Sequence, residues 1–104
     1  DALIAAPRHH KLLFENKKVR VLDTCIPPGE MTAVHTHKWP VTLYIKSWSD
    51  FIRYDQDGSL ILDSRTISQK PALDSALWSE ALPPHSLKNI GDSLLHVISV
   101  EIKS

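Results

Sequence analysis

The chain has 104 residues and a single cysteine, Cys25. No internal disulfide can therefore brace it, which fits a reducing compartment and a cytoplasmic location. Net charge is absent too. Twelve Lys and Arg balance twelve Asp and Glu and no basic stripe stands out along the chain, which gives little support for nucleic acid or an anionic membrane surface as a partner. No apolar run approaches the roughly 20 residues that span a bilayer. The opening DALIAAPRHH lacks the charged and apolar regions of a signal peptide, and the absence of an initiator Met leaves room for residues upstream. Helical periodicity is scarce. Only Lys70 to Leu82 reads as an amphipathic helix, and Pro71 with several Ser and Asp residues works against it.

What the chain does have is a series of short β-type runs broken by turn signals. Val19 to Ile26 is β-branched and stops at Pro27-Pro28-Gly29. Val41 to Lys46 alternates, placing Val41, Leu43 and Ile45 on one face and Thr42, Tyr44 and Lys46 on the other. Phe51 to Tyr54 runs into Asp55-Gln56-Asp57-Gly58, a hairpin cue, and Leu60 to Asp63 resumes after it. Leu94 to Ile102 is a last run, with His96, Ile98, Val100 and Ile102 sharing a face. Many short strands at this spacing predict one all-β domain over 1–104, a sandwich or barrel, with 1–10 as an N-terminal arm or edge segment.

Six histidines are present, and one His-x-His pair is not rare: about 0.35 is expected by chance. The pair His35-Thr36-His37 gains meaning from its setting. On a strand, residues i and i+2 point the same way, so both imidazoles project in one direction from a rigid base, as two cis metal ligands do. A third ligand must come from another strand. His85, in Leu82-Pro83-Pro84-His85, is the candidate. His96 alternates with apolar residues and reads as a core-facing histidine; His9 and His10 read as exposed.

The order Gly29, five residues, His35-x-His37, a long interval, then Pro84-His85 with Asn89 four residues later resembles the cupin family. The likeness runs from about Leu13 to Lys103. It implies a jelly-roll barrel of two antiparallel sheets, with a divalent metal on His35, His37 and His85 inside it. Asn89 would orient His85 or, beside Gly91, serve only to make a turn. The resemblance departs from the motifs at several places: the carboxylate of the first motif is expected at 41 or 42, where Val41 and Thr42 stand, the Gly after it is absent from Ile45 to Asp50, and Leu82 and Glu80 stand where the second motif has Gly and Pro. Three neutral imidazoles leave the metal its full charge and favour an anionic ligand in the open positions. Three-histidine centres of this kind serve cupin-like Fe(II) dioxygenases acting on diketones, thiols and aromatic acids. Cupins also include isomerases, epimerases and non-catalytic ligand-binding or sensor domains, and Fe, Zn, Ni, Mn or Cu all suit the donors. A small-molecule ligand and a homodimer complete what the likeness implies. Trp39, two residues beyond His37, and Val41 are the expected apolar wall. Arg53, Arg65 and Glu80 are candidates for reading a polar substrate, against the alternative of surface ion pairs.

Overall fold

Two antiparallel sheets face one another. A computed structural model describes residues 1–67 and 70–103. One sheet has five strands in the order β1 (His10–Glu15), β2 (Val19–Ile26), β9 (Leu95–Ile102), β4 (Val41–Ser47), β7 (Ala76–Ser79). The other has four, in the order β3 (His35–His37), β8 (Leu82–Asn89), β5 (Phe51–Asp55), β6 (Leu60–Asp63). A helical turn α1 (Ala2–Ala5) precedes β1, capped by the Asp1 carboxylate, which accepts from Leu3 N at 2.8 Å.

The strand boundaries follow local chemistry. β2 ends where Pro27 and Pro28 remove donors and Gly29 turns the chain at φ +81°. The β5–β6 hairpin closes through Gly58 at φ +85° and through Asp55, whose Oδ1 accepts from Asp57 N at 2.8 Å and Ser59 N at 3.0 Å. β8 carries Pro83 and Pro84 opposite a bulge. His35 pairs with His85 but His37 pairs with Leu82, so the ladder slips where the prolines have no N–H to give.

Val41, Leu43 and Ile45 face the interior between the sheets, as their alternation predicts. β9 has the opposite phase to the expected one. Directly opposed residues share a face, and Leu43 pairs with Ser99 and Ile45 with Val97. Leu95, Val97 and Ser99 therefore point inward, and His96, Ile98, Val100 and Ile102 outward. Ser99 and Glu101 interrupt the inward face while Ile98, Val100 and Ile102 run along the outward one, so the strand's own pattern points the wrong way and its neighbour sets the phase.

The helix expected over Lys70 to Leu82 is absent. Within that stretch, Leu73 and Asp74 form a turn, Ala76–Ser79 forms β7 against β4, and Leu82 opens β8. The edge of β4 offers a full ladder, which outweighs a weak local helical preference. The core cluster is Ile26, Phe51 and Leu95, with Trp48, Leu62 and Leu87 packed against it. No helix among the described residues is long and apolar enough to cross a membrane.

Candidate metal centre

Four imidazoles meet at one end of the interior. His35 and His85 face each other across the β3–β8 ladder with ring centroids 4.5 Å apart. His37 lies 4.9 Å from His35 and 5.4 Å from His85. The structure thus brings together the three histidines that the spacing singled out, and it adds a fourth. His10, the first residue of β1, lies 4.6 Å from His35 and 6.0 Å from His37.

His10 and His9 were expected in solvent, and both are buried. The physical reason is that the N-terminal segment docks instead of trailing. Ala2 and Ala6 are buried, and His10 pairs with Thr24 of β2 at the head of an edge strand. The signal in the sequence was the apolar run Leu12-Leu13-Phe14 ahead of Asn16-Lys17-Lys18 and β2, a hairpin pattern that makes His10 a strand residue.

The ligand atoms of His10, His35 and His37 all lie within 4.8 Å of one another. Three of the four rings are oriented by main-chain carbonyls: His10 Nδ1 to Ala6 O at 2.9 Å, His35 Nδ1 to Ala33 O at 2.8 Å and His85 Nδ1 to Pro83 O at 2.8 Å. A carbonyl only accepts, so each Nδ1 carries the hydrogen and each Nε2 keeps a free lone pair. This tautomer is the one a metal needs, held by the kind of outer hydrogen bond that supports ligating histidines. Burial holds the rings neutral. It lowers His37 to about 3, with the neighbouring imidazoles adding to the effect. It lowers His10 and His85 to about 4 and also depresses His35. Neutral imidazoles with free Nε2 atoms fit a divalent transition metal.

The other expected site residues divide clearly. Val41 lines the cavity beside the histidines. Thr42 does not: it pairs with Trp78 and Val100 on the outer face. Trp39 is not a wall of the site. Its ring is surrounded by cations, with Lys38 Nζ at 4.4 Å, Arg20 Cζ at 5.2 Å and Lys103 Nζ at 5.4 Å from the centroid. Asn89 does not orient His85, whose Nδ1 is satisfied by its own strand. It is fully buried and ties a turn together: Nδ2 donates to Ile26 O and Ser93 O, and Oδ1 accepts from Ser49 Oγ and Gly91 N. His96 is outside the barrel, 2.5 Å from Asp23 Oδ1, beside the Cys25 thiol. Burial and the Asp23 charge push that thiol up, which makes it a poor nucleophile.

Among the substrate-reading candidates, Arg65 pairs with Asp63 and Glu80 accepts from Trp78 Nε1, both at the surface. Arg53 alone lines the cavity. Glu30, the carboxylate nearest the histidine pair in sequence, is engaged by His9 and Arg8. The cavity measures about 390 Å³ and draws on both sheets, at the small end of the roughly 300–1,000 Å³ typical of small-molecule sites. Its described lining contains no Asp or Glu.

No protein-family model and no curated protein matches the sequence. Solved structures do. A cupin domain from Bordetella pertussis Tohama I is similar over 91% of this chain and 92% of its own length, with a TM-score of 0.71 at 18% identity. A cupin family protein with a double-stranded beta-helix fold from Methanocaldococcus jannaschii is similar over 89% of this chain and 77% of its own, with a TM-score of 0.61 at 15% identity. A double-stranded beta-helix domain protein from Klebsiella pneumoniae is similar over 89% and 74%, with a TM-score of 0.60 at 16% identity.

Proposed function

Taking the chain as a small domain of the cupin fold, we propose that it binds a divalent transition metal through the Nε2 atoms of His10, His35 and His37, with His85 beside them, and acts as a non-haem metalloenzyme on a small anionic molecule. The observation that carries this reading is the meeting of three ligand atoms within 4.8 Å on rings that burial keeps neutral. Bound there, Fe, Zn, Ni, Mn or Cu would supply Lewis acidity, and Fe in its ferrous form would also supply the oxygen chemistry of a dioxygenase. The chain's own residues orient the donors through Ala6, Ala33 and Pro83. They also surround the ligand with apolar walls at Val41, Leu43 and Ile45, and Val41, in place of a carboxylate, leaves the centre more positive.

A second reading, a ligand-binding or sensor domain without catalysis, draws support from the described cavity lining, which offers no carboxylate as a general base. An isomerase or epimerase would have to use an imidazole for that role. Metal analysis discriminates at the first step. Protein incubated with Fe(II) under anaerobic conditions, or with Zn(II), then desalted, retains close to one equivalent. Retention below about a tenth of an equivalent removes the metalloenzyme reading. Oxygen uptake by the Fe(II) form with diketones, thiols and aromatic acids then separates the oxygenase from the binding domain.

A further inference from the structure

One charged group that lines the cavity meets no partner among the described residues. Arg53 on β5 lines the cavity, and its Nε is buried without a hydrogen-bond partner. Among the described residues, no ion pair joins it to a carboxylate. Its nearest compensation is the face of Phe51, 5.9 Å from the guanidinium carbon to the ring centroid, a weak substitute for an anion. Trp48 packs edge-on to Phe51 at 5.6 Å and lines the same cavity, and its indole N–H is also buried without an acceptor. Buried donors are almost always paired, and a buried charge is costly unless an opposite charge meets it. Arg53 is only partly buried and lines the cavity, so the rest of its guanidinium is open to an acceptor that arrives from outside.

The position narrows the choice. On the β5–β8 ladder Arg53 stands opposite Leu87, and Asp55 opposite His85, so Arg53 is a single same-face step from the imidazole cluster. Its positive charge is felt by His35 and His85. The opposite wall is apolar: Ile26, Leu43, Ile45 and Leu95. A planar anion with two oxygens suits the guanidinium fork, and a hydrocarbon body suits the wall. Inorganic phosphate or a sugar would leave that wall unsatisfied.

We propose that Arg53 anchors the carboxylate of a small organic acid whose apolar body lies against Leu43, Ile45 and Leu95. The proposal rests on the cavity being the ligand site, and anchoring by Arg53 requires no metal. Phenylacetate and its neutral isostere phenylacetamide are the probes, titrated calorimetrically into zinc-loaded and EDTA-stripped protein. The stripped wild type binds the acid at least about tenfold tighter than the amide, the scale of a hydrogen bond to a charged group. Arg53→Met loses that preference, and Arg53→Lys keeps part of it. Arg53→Met also melts at or above the wild-type temperature in ligand-free protein, because it removes a partly buried cation that no described carboxylate meets. Equal affinities for acid and amide in the wild type, no acid binding at millimolar concentration, or an undiminished preference in Arg53→Met each overturn the proposal. A preference that persists in protein unable to retain metal removes only the metalloenzyme reading. Metal retention with no preference removes only the anchor.

Discussion

His35 and His85 stand directly opposite one another on antiparallel strands, and each donates its Nδ1–H to the carbonyl two residues earlier in the chain, Ala33 for one and Pro83 for the other. The pair is built symmetrically, yet the compact donor set takes only His35 from it and adds His10 and His37. That difference ranks the ligands.

His10→Ala and His37→Ala are expected to lower zinc affinity by more than about 100-fold. His85→Ala costs about 10- to 100-fold, the range seen when an outer partner is lost. Competition against a chromophoric chelator measures all three. Equal losses at His10 and His85 would make the centre a four-ligand one.

Acid should destabilise the metal-free protein. His10, His37 and His85 titrate near 4, 3 and 4 in the fold, against about 6.5 in the unfolded chain. Below pH 6.5 the unfolded chain therefore takes up protons that the fold refuses. Stability is fully present above that pH and falls as pH drops towards 3. At pH 5 the loss is about 1–2 kcal/mol for each ring. Urea midpoints between pH 7.5 and 5 report it, and His37→Gln flattens the slope. A wild-type midpoint that does not move across this window contradicts the buried, neutral rings.

Arg20 and Glu101 form a pair inside the five-stranded sheet, Nε at 3.0 Å and Nη2 at 2.9 Å from Glu101 Oε1, with Glu101 fully buried. Removing one partner strands the other charge. Glu101→Ala is expected to cost about 3–5 kcal/mol in urea unfolding, and Glu101→Gln less, because Asp1 still meets Arg20 at 2.7 Å. A cost below about 1 kcal/mol would show that water reaches the guanidinium when Glu101 is gone.

The turn after β8 tolerates no added methyl. A Cβ on Gly91 would collide with the Ser49 hydroxyl and sit 3.0 Å from the Asp50 nitrogen. Gly91→Ala should cost about 1–3 kcal/mol, and Asn89→Ala at least as much, since it strips four hydrogen bonds from a buried turn. Metal retention at neutral pH should survive both, which separates this turn from the histidine cluster. Loss of metal from folded Asn89→Ala would return Asn89 to the site.

The fold was legible where one face of a strand was polar. β4 announces its inward side because Thr42, Tyr44 and Lys46 alternate with Val41, Leu43 and Ile45. β9 has its longer apolar run, Ile98, Val100 and Ile102, on the outer side, so its phase was decided by pairing with β4, and His96 went out with it. The pair His35 and His37 was readable from period-two geometry. His10 was harder, because a histidine beside a Pro-Arg stretch looks like a tail until the docking of Ala2 and Ala6 pulls the segment in. Asn89 and Trp39 lay at plausible distances along the chain, but sequence distance does not say where a side chain's hydrogen bonds and cations are. β7 was hidden for a similar reason: a short edge strand exists only because a neighbour supplies its ladder.

The carbonyl contacts of Ala6, Ala33 and Pro83 have one more consequence, which concerns heat and protons. Metal uptake by imidazoles in proteins commonly displaces protons, and calorimetry then records the ionisation of the buffer along with the binding. Here the oriented rings are neutral with Nε2 open well below neutral pH. The imidazoles have no protons to give up, so between pH 6 and 8 their share of the binding heat is the same in phosphate as in Tris.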